Sequence, residues 1–181
     1  MKQKGITLVE LLISSSITAV VGVLLLTITI NSSNIFYKQS SKVNLGLNSN
    51  DALTQIRDSV RQSKSVDVTS GPEQLVLQIP AINSSGDIIS GVFDNFVFYK
   101  DTSKLRFKTF PNLASSRKAQ DQIFSTGQVS LFFQYLDAEN PPAEVIPARA
   151  SRVRVRLTLQ QRNGFYSEES ISTAEAKLRN E

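Results

Sequence analysis

Glu10 is the one charged residue in the 25-residue run from Ile6 to Ile30, ITLVELLISSSITAVVGVLLLTITI. An ionised carboxylate in an apolar helix costs about 2.5–3.5 kcal/mol at mid-membrane and less near an end. An acid there points to function and calls for a basic partner, and Lys2 and Lys4 stand outside the run. Arg152, Arg154 and Arg156 alternate along a second segment, with Arg149 and Arg162 nearby. Such a row of guanidinium groups could contact a polyanion such as DNA, or an acidic neighbouring subunit. No aromatic residue interleaves the row, so base stacking is not expected. Its plain reading is a solvated strand face, with Arg discouraging edge-to-edge pairing. Ser115 and Lys118 have Ser-x-x-Lys spacing, which serves a nucleophile only if the Lys is buried with a lowered pKa.

Other chemistry is excluded more simply. The chain has no His and no Cys, which removes the Ser-His-Asp triad, the Cys nucleophile, the disulfide framework and the Cys/His zinc site. The acidic pairs Glu168-Glu169 and Asp137/Glu139 lack the spacing of a calcium loop. They read as solvated surface, as do Asp94, Asp101, Glu175, Lys177 and Arg179. No metal, no cofactor and no enzymatic activity are expected. A formal charge of +4 over 181 residues is too mild to indicate a dedicated nucleic-acid binder.

The elements that must carry these residues follow from periodicity. As a helix, residues 6–30 span about 37 Å, enough to cross a hydrocarbon core of roughly 30 Å with tilt. The next Lys after Lys4 is Lys38, so the short basic N-terminus is expected on the cytoplasmic side and the remainder outside. Phe36 and Tyr37 suit the outer interface. The run is too long for the apolar core of a cleaved secretory signal, so an uncleaved anchor fits better. Residues 31–64 predict an amphipathic continuation of the helix, with Val43, Leu47, Leu53, Ile56 and Val60 on its inner stripe and Gly46 and Asn48-Ser49-Asn50 weakening its middle. From residue 65 onward the period becomes two. Leu75, Leu77 and Ile79 alternate; Phe96–Tyr99 and Leu105–Phe110 flank the turn-like Asp101-Thr102-Ser103. Val129–Leu136 predicts a strand, and Glu139–Ala150, with three prolines, a loop. Val153, Val155, Leu157 and Leu159 predict a half-buried strand before the hairpin signal Asn163-Gly164. Ile171–Leu178 is compatible with either strand or helix. The fold class is therefore α+β: a long N-terminal helix packed on a mostly antiparallel sheet.

Lys4-Gly5-Ile6-Thr7-Leu8-Val9-Glu10-Leu11-Leu12 resembles the processing motif of type IV pilins and the pseudopilins of type II secretion. The resemblance covers about nine residues within the apolar run. It implies that residues 1–5 are a leader, that a prepilin peptidase cuts between Gly5 and Ile6, and that the Ile6 amine is methylated. Ile6 departs from the family's more usual Phe. The resemblance assigns Glu10 to filament assembly, where it would meet an N-terminal ammonium, either its own, one helical turn away, or a neighbour's. It further implies a pilin-like fold, other pilin or pseudopilin subunits and the inner-membrane assembly platform as partners, and membrane lipid as the surroundings before assembly. The implied location is the cytoplasmic (inner) membrane, single-pass with the N-terminus inside, and then a surface or periplasmic filament. Size and strand count are more like minor pilins and minor pseudopilins than major pilins. A different class of function is a single-pass anchor presenting an extracytoplasmic binding domain, an adhesin or DNA receptor, which needs neither Gly5 nor Glu10. A third, a membrane-tethered enzyme, would need Ser115 with Lys118 or paired carboxylates, in a pocket with perturbed pKa values.

Overall fold

The computed structural model describes residues 7–125, 128–163 and 166–179. Helix α1 runs unbroken through Leu8–Gln62. The Asn48-Ser49-Asn50 cluster does not interrupt it, because each neighbouring turn still supplies its i→i−4 bonds and no Pro lies within it.

The stretch Leu8–Ser40 is long and apolar enough to cross a membrane: an 18-residue window within it has a mean hydropathy of 2.4, and none of that window is buried. Its Leu, Val and Ile side chains face outward throughout. Every hydroxyl between Leu8 and Ile30 is returned to the helix's own backbone. Ser14 donates to the Glu10 carbonyl (2.7 Å) and Ser16 to that of Leu12 (2.8 Å). Thr18, Thr27 and Thr29 donate to Ser14, Val23 and Leu25, and Ser15 reaches Leu12. This back-bonding lets Ser and Thr sit in an apolar helix without an unsatisfied donor. Phe36 and Tyr37 are exposed, their rings edge-on at 6.2 Å.

Residues 41–181 form a separate compact unit. Here α1 buries Ala52, Leu53, Ile56 and Val60, the i, i+1, i+4, i+8 spacing of one helical face. The expected stripe is only partly found. Leu53, Ile56 and Val60 are buried, Val43 is 60% exposed, and the side chain of Leu47 lies outside the described residues. Val43 is one of several apolar side chains that precede the part of the helix covered by strands.

The strands form two antiparallel sheets rather than one. The first has the order β1-β2-β3-β4-β5, from Ser65–Val66, Gln74–Ile82, Ile88–Asp101, Lys104–Phe110 and Gln120–Ser125. The β3–β4 hairpin turns at Thr102-Ser103, with Asp101 opposite Lys104 and Thr102 at a φ of 56°. The second sheet is β6-β7-β8, from Gln128–Leu136, Arg152–Asn163 and Tyr166–Lys177. The residues Ile171–Leu178 thus fall mostly on a strand. β7 and β8 pair as far as Asn163 opposite Tyr166, while Gly164 of the hairpin signal lies outside the described residues.

The inner faces meet in one core containing Leu75, Leu77, Ile79, Phe98 and Phe107 from the first sheet and Leu131, Phe133, Val155 and Leu157 from the second. Phe98 and Phe107 stack at 4.7 Å, and such pairs contribute about 0.5–1.5 kcal/mol beyond their buried area. The two sheets are also tied by backbone: Phe133 N–H donates to the Pro72 carbonyl (2.8 Å). The Tyr135 hydroxyl donates to the Gly71 carbonyl (2.8 Å). Burial pushes the Tyr135 phenol above its usual range, so it acts here as a neutral donor. Between β6 and β7 the proline-rich loop carries an isolated bridge, Leu136 to Glu144, and a single 3-10 turn at Pro147–Arg149.

Candidate functional site

Thr7 opens the described chain and caps α1. Its carbonyl accepts the Leu11 N–H (3.2 Å), and its hydroxyl accepts the Glu10 N–H (3.2 Å). Glu10 answers in kind: its Oε2 accepts both the Thr7 N–H and the Thr7 hydroxyl, each at 3.0 Å. This is a capping box, Thr-x-x-Glu, in which side chains at the first turn satisfy each other's backbone donors. Thr7 is a residue that a search for charges alone does not find, although Thr7-Leu8-Val9-Glu10 at the start of the apolar run carries the sequence signal of this cap.

The cap fixes where Glu10 points and leaves Oε1 without a partner among the described residues. A carboxylate has about four acceptor positions, so Glu10 can serve the cap and a cation together. Ser14, Thr18 and Gly22 follow at four-residue steps on the same face, and a side chain at Gly22 would meet nothing within 4 Å. Gly5 and Ile6 lie outside the described residues, and so does the expected pairing of Glu10 with the Ile6 ammonium.

The Arg row is on one face of β7, as its alternation predicts. Its register sets Arg156 opposite Phe132, Arg154 opposite Gln134 and Arg152 opposite Leu136 on β6. Two of the three guanidinium groups are already engaged. Arg154 donates twice to Glu175 Oε2, at 2.9 and 3.1 Å, and Arg152 lies 3.7 Å from Glu175 Oε1. Glu175 is at the surface, as expected, and there it pairs with both guanidinium groups. No aromatic residue interleaves the row along β7 itself, but one stands beside it. Phe132 comes from a different strand, 24 positions earlier in the chain, and cross-strand pairing brings it beside Arg156, a neighbour that the order of residues along β7 does not reveal.

Ser115 and Lys118 do not form a nucleophile pair. Lys118 is exposed, and the Ser115 hydroxyl donates to Asp94 Oδ2 (2.8 Å). Asp94 was expected at the surface and is instead fully buried. Its Oδ1 accepts the Asn112 N–H (2.8 Å), and its Oδ2 also accepts Arg117 Nη1 (2.8 Å), which donates in turn to the Pro80 carbonyl. A buried charge persists only with such partners. This cluster pins the β4–β5 loop to the end of β2, and it exposes no reactive group.

Residues 1–26 match the family model described as the prokaryotic N-terminal methylation motif. No curated protein and no solved structure matches the chain. The matched segment contains Gly5, Ile6, the Thr7–Glu10 cap and most of the exposed apolar helix, so the chain carries the prokaryotic N-terminal methylation motif, the signature of type IV pilins and pseudopilins.

Proposed function

We propose that this chain is a structural subunit, a minor pilin or pseudopilin, of a type IV pilus or type II secretion-type filament. The observation that carries the reading is the methylation motif at the head of α1, where the Leu, Val and Ile side chains from Leu8 to Ile30 are left exposed by the described residues. In this reading a prepilin peptidase on the cytoplasmic side cuts after Gly5, and Ile6 becomes a methylated N-terminus. The mature chain waits in lipid, then passes into a filament core of like helices.

The chemistry of assembly rests on Glu10. In a low-dielectric core an unpaired carboxylate is strongly disfavoured, and so is an unpaired ammonium. Pairing them offsets both desolvation costs and sets the register of one helix on the next. The Thr7 cap holds the carboxylate in place for that encounter, and the small face at Ser14, Thr18 and Gly22 permits close helix approach. The role is one of positioning and recruitment, with no reaction catalysed.

The test is the intact mass of the full-length chain, expressed with and without an active prepilin peptidase, together with its recovery in sheared filaments. The expected result is loss of Met1–Gly5 plus one methyl group, abolished by substitution of Gly5. Glu10→Ala should still be cleaved but should enter filaments at least tenfold less. A chain that stays full length beside active peptidase would overturn the reading.

A further inference from the structure

The outer face of the β6-β7-β8 sheet combines charge and exposed apolar surface in a way the core does not require. Phe132, Gln134, Arg154, Arg156, Ile171 and Thr173 line one shallow depression there. Phe132 is 46% exposed and Ile171 is 54% exposed. Arg156 lies between them: directly opposite Phe132 on one side, and opposite Thr173 with Ile171 diagonal to it on the other. Arg152 and Arg154 are held by Glu175, whereas Arg156 has no carboxylate partner among the described residues. Arg and Phe are enriched where protein partners bury contact area, and a cation walled by apolar groups gains most from one well-placed carboxylate.

Charge decides the kind of partner. The described residues of this face include four basic side chains, Arg152, Arg154, Arg156 and Lys177, and two acidic ones, Glu169 and Glu175. A nucleic-acid strand needs a track of free cations and a series of stacking rings. Here Glu175 occupies two of the cations, and a single ring stands beside the third. One free guanidinium between two apolar walls instead fits a single carboxylate on a folded protein surface.

We propose that this depression docks a neighbouring filament subunit. Arg156 pairs with an Asp or Glu of that subunit, and Phe132 and Ile171 pack against the apolar side chains flanking it. This rests on the filament reading above. The other face of the sheet is the domain core, with Phe133, Val155 and Leu157 buried, so the docking residues stand on a rigid support.

The experiment uses the full-length chain in filament-producing cells, with a photo-crosslinking amino acid at position 132 and, as control, at the exposed Val68. Recovery of the leaderless chain in filaments is measured in parallel. The expected result is a product from position 132 with another filament subunit, joined at a peptide that contains Asp or Glu. Arg156→Glu and Arg156→Gln should each reduce that product at least tenfold, and Arg156→Lys should retain it. Changing the partner's acid to Lys should restore the Arg156→Glu product. If the chain enters filaments but the product is absent, is insensitive to Arg156, or is a nuclease-sensitive adduct, the docking proposal falls and the filament reading stands. If the leaderless chain never enters filaments, both fall.

Discussion

Helix α1 has two parts, and they treat the same apolar residue types in opposite ways. Between Leu8 and Ile30 every Leu, Val and Ile is exposed; between Ala52 and Val60 the apolar face is sealed by two sheets. The backbone does not distinguish them, since one hydrogen-bonded ladder runs through both. What differs is the solvent each part is built for. The second part carries its own core and has a single buried face. The first has no polar face to turn toward water, and its surface is suited to lipid or to other helices. Helicity is thus a local property here, while burial depends on what surrounds the helix.

The comparison can be broken most forcefully from the core side. Phe98→Ala removes a fully buried ring from the first sheet and should cost about 3–5 kcal/mol. Denaturant unfolding of the domain should report this, with membrane retention unchanged. Val20→Arg should do the reverse. It places a charge near the middle of the apolar run at a cost of about 2.5–3.5 kcal/mol. Membrane fractionation should show partial loss of anchoring, and the domain's unfolding midpoint should stay put.

Two smaller effects sharpen the contrast. Thr7→Ala removes the cap hydroxyl and should weaken the first turn of α1 by about 0.5–2 kcal/mol. If the cap positions Glu10 for assembly, filament incorporation should fall, but less than for Glu10→Ala, with cleavage after Gly5 intact. Incorporation equal to wild type would separate the cap from assembly. The smallest effect is electrostatic and belongs to the domain. Hydrogen bonds from Thr69, and then from Gln78, hold the Asp67 carboxyl below the usual Asp range. A lowered folded-state pKa means stability that is present above the ordinary Asp value, about 3.9, and lost as pH falls through the folded value. Asp67→Ala should therefore lower the melting temperature slightly at pH 7, and the difference from wild type should close as pH falls below 3.9.

Much of this was legible in the sequence, and the reasons are physical. A period of two is a local signal, so Leu75-x-Leu77-x-Ile79 and Val153-x-Val155-x-Leu157-x-Leu159 announced β2 and β7. The apolar run announced α1 by length alone. What escaped detection depends on distant partners. Asp94 looks like any isolated acid until Asn112, Ser115 and Arg117 fold over it. Phe132 belongs with Arg156 only through the β6–β7 register. β5, with Gln120, Asp121 and Gln122, has too little apolar alternation to be read as a strand, and it owes its place to the β4 edge it pairs with. The capping box is local and readable in Thr7-x-x-Glu10, but a lone carboxylate in an apolar run points first to a counterion and only then to a backbone donor.

The hydroxyls of the apolar run have a consequence for the crossing between environments. A Ser or Thr that depended on a neighbouring helix, a lipid headgroup or water for its hydrogen bond would anchor the segment to that neighbour. Here Ser14, Ser15, Ser16, Thr18, Thr27 and Thr29 all find their acceptors within one turn of their own helix. The segment can trade an oily bilayer for a protein interior without breaking any of these bonds on departure or needing new ones on arrival.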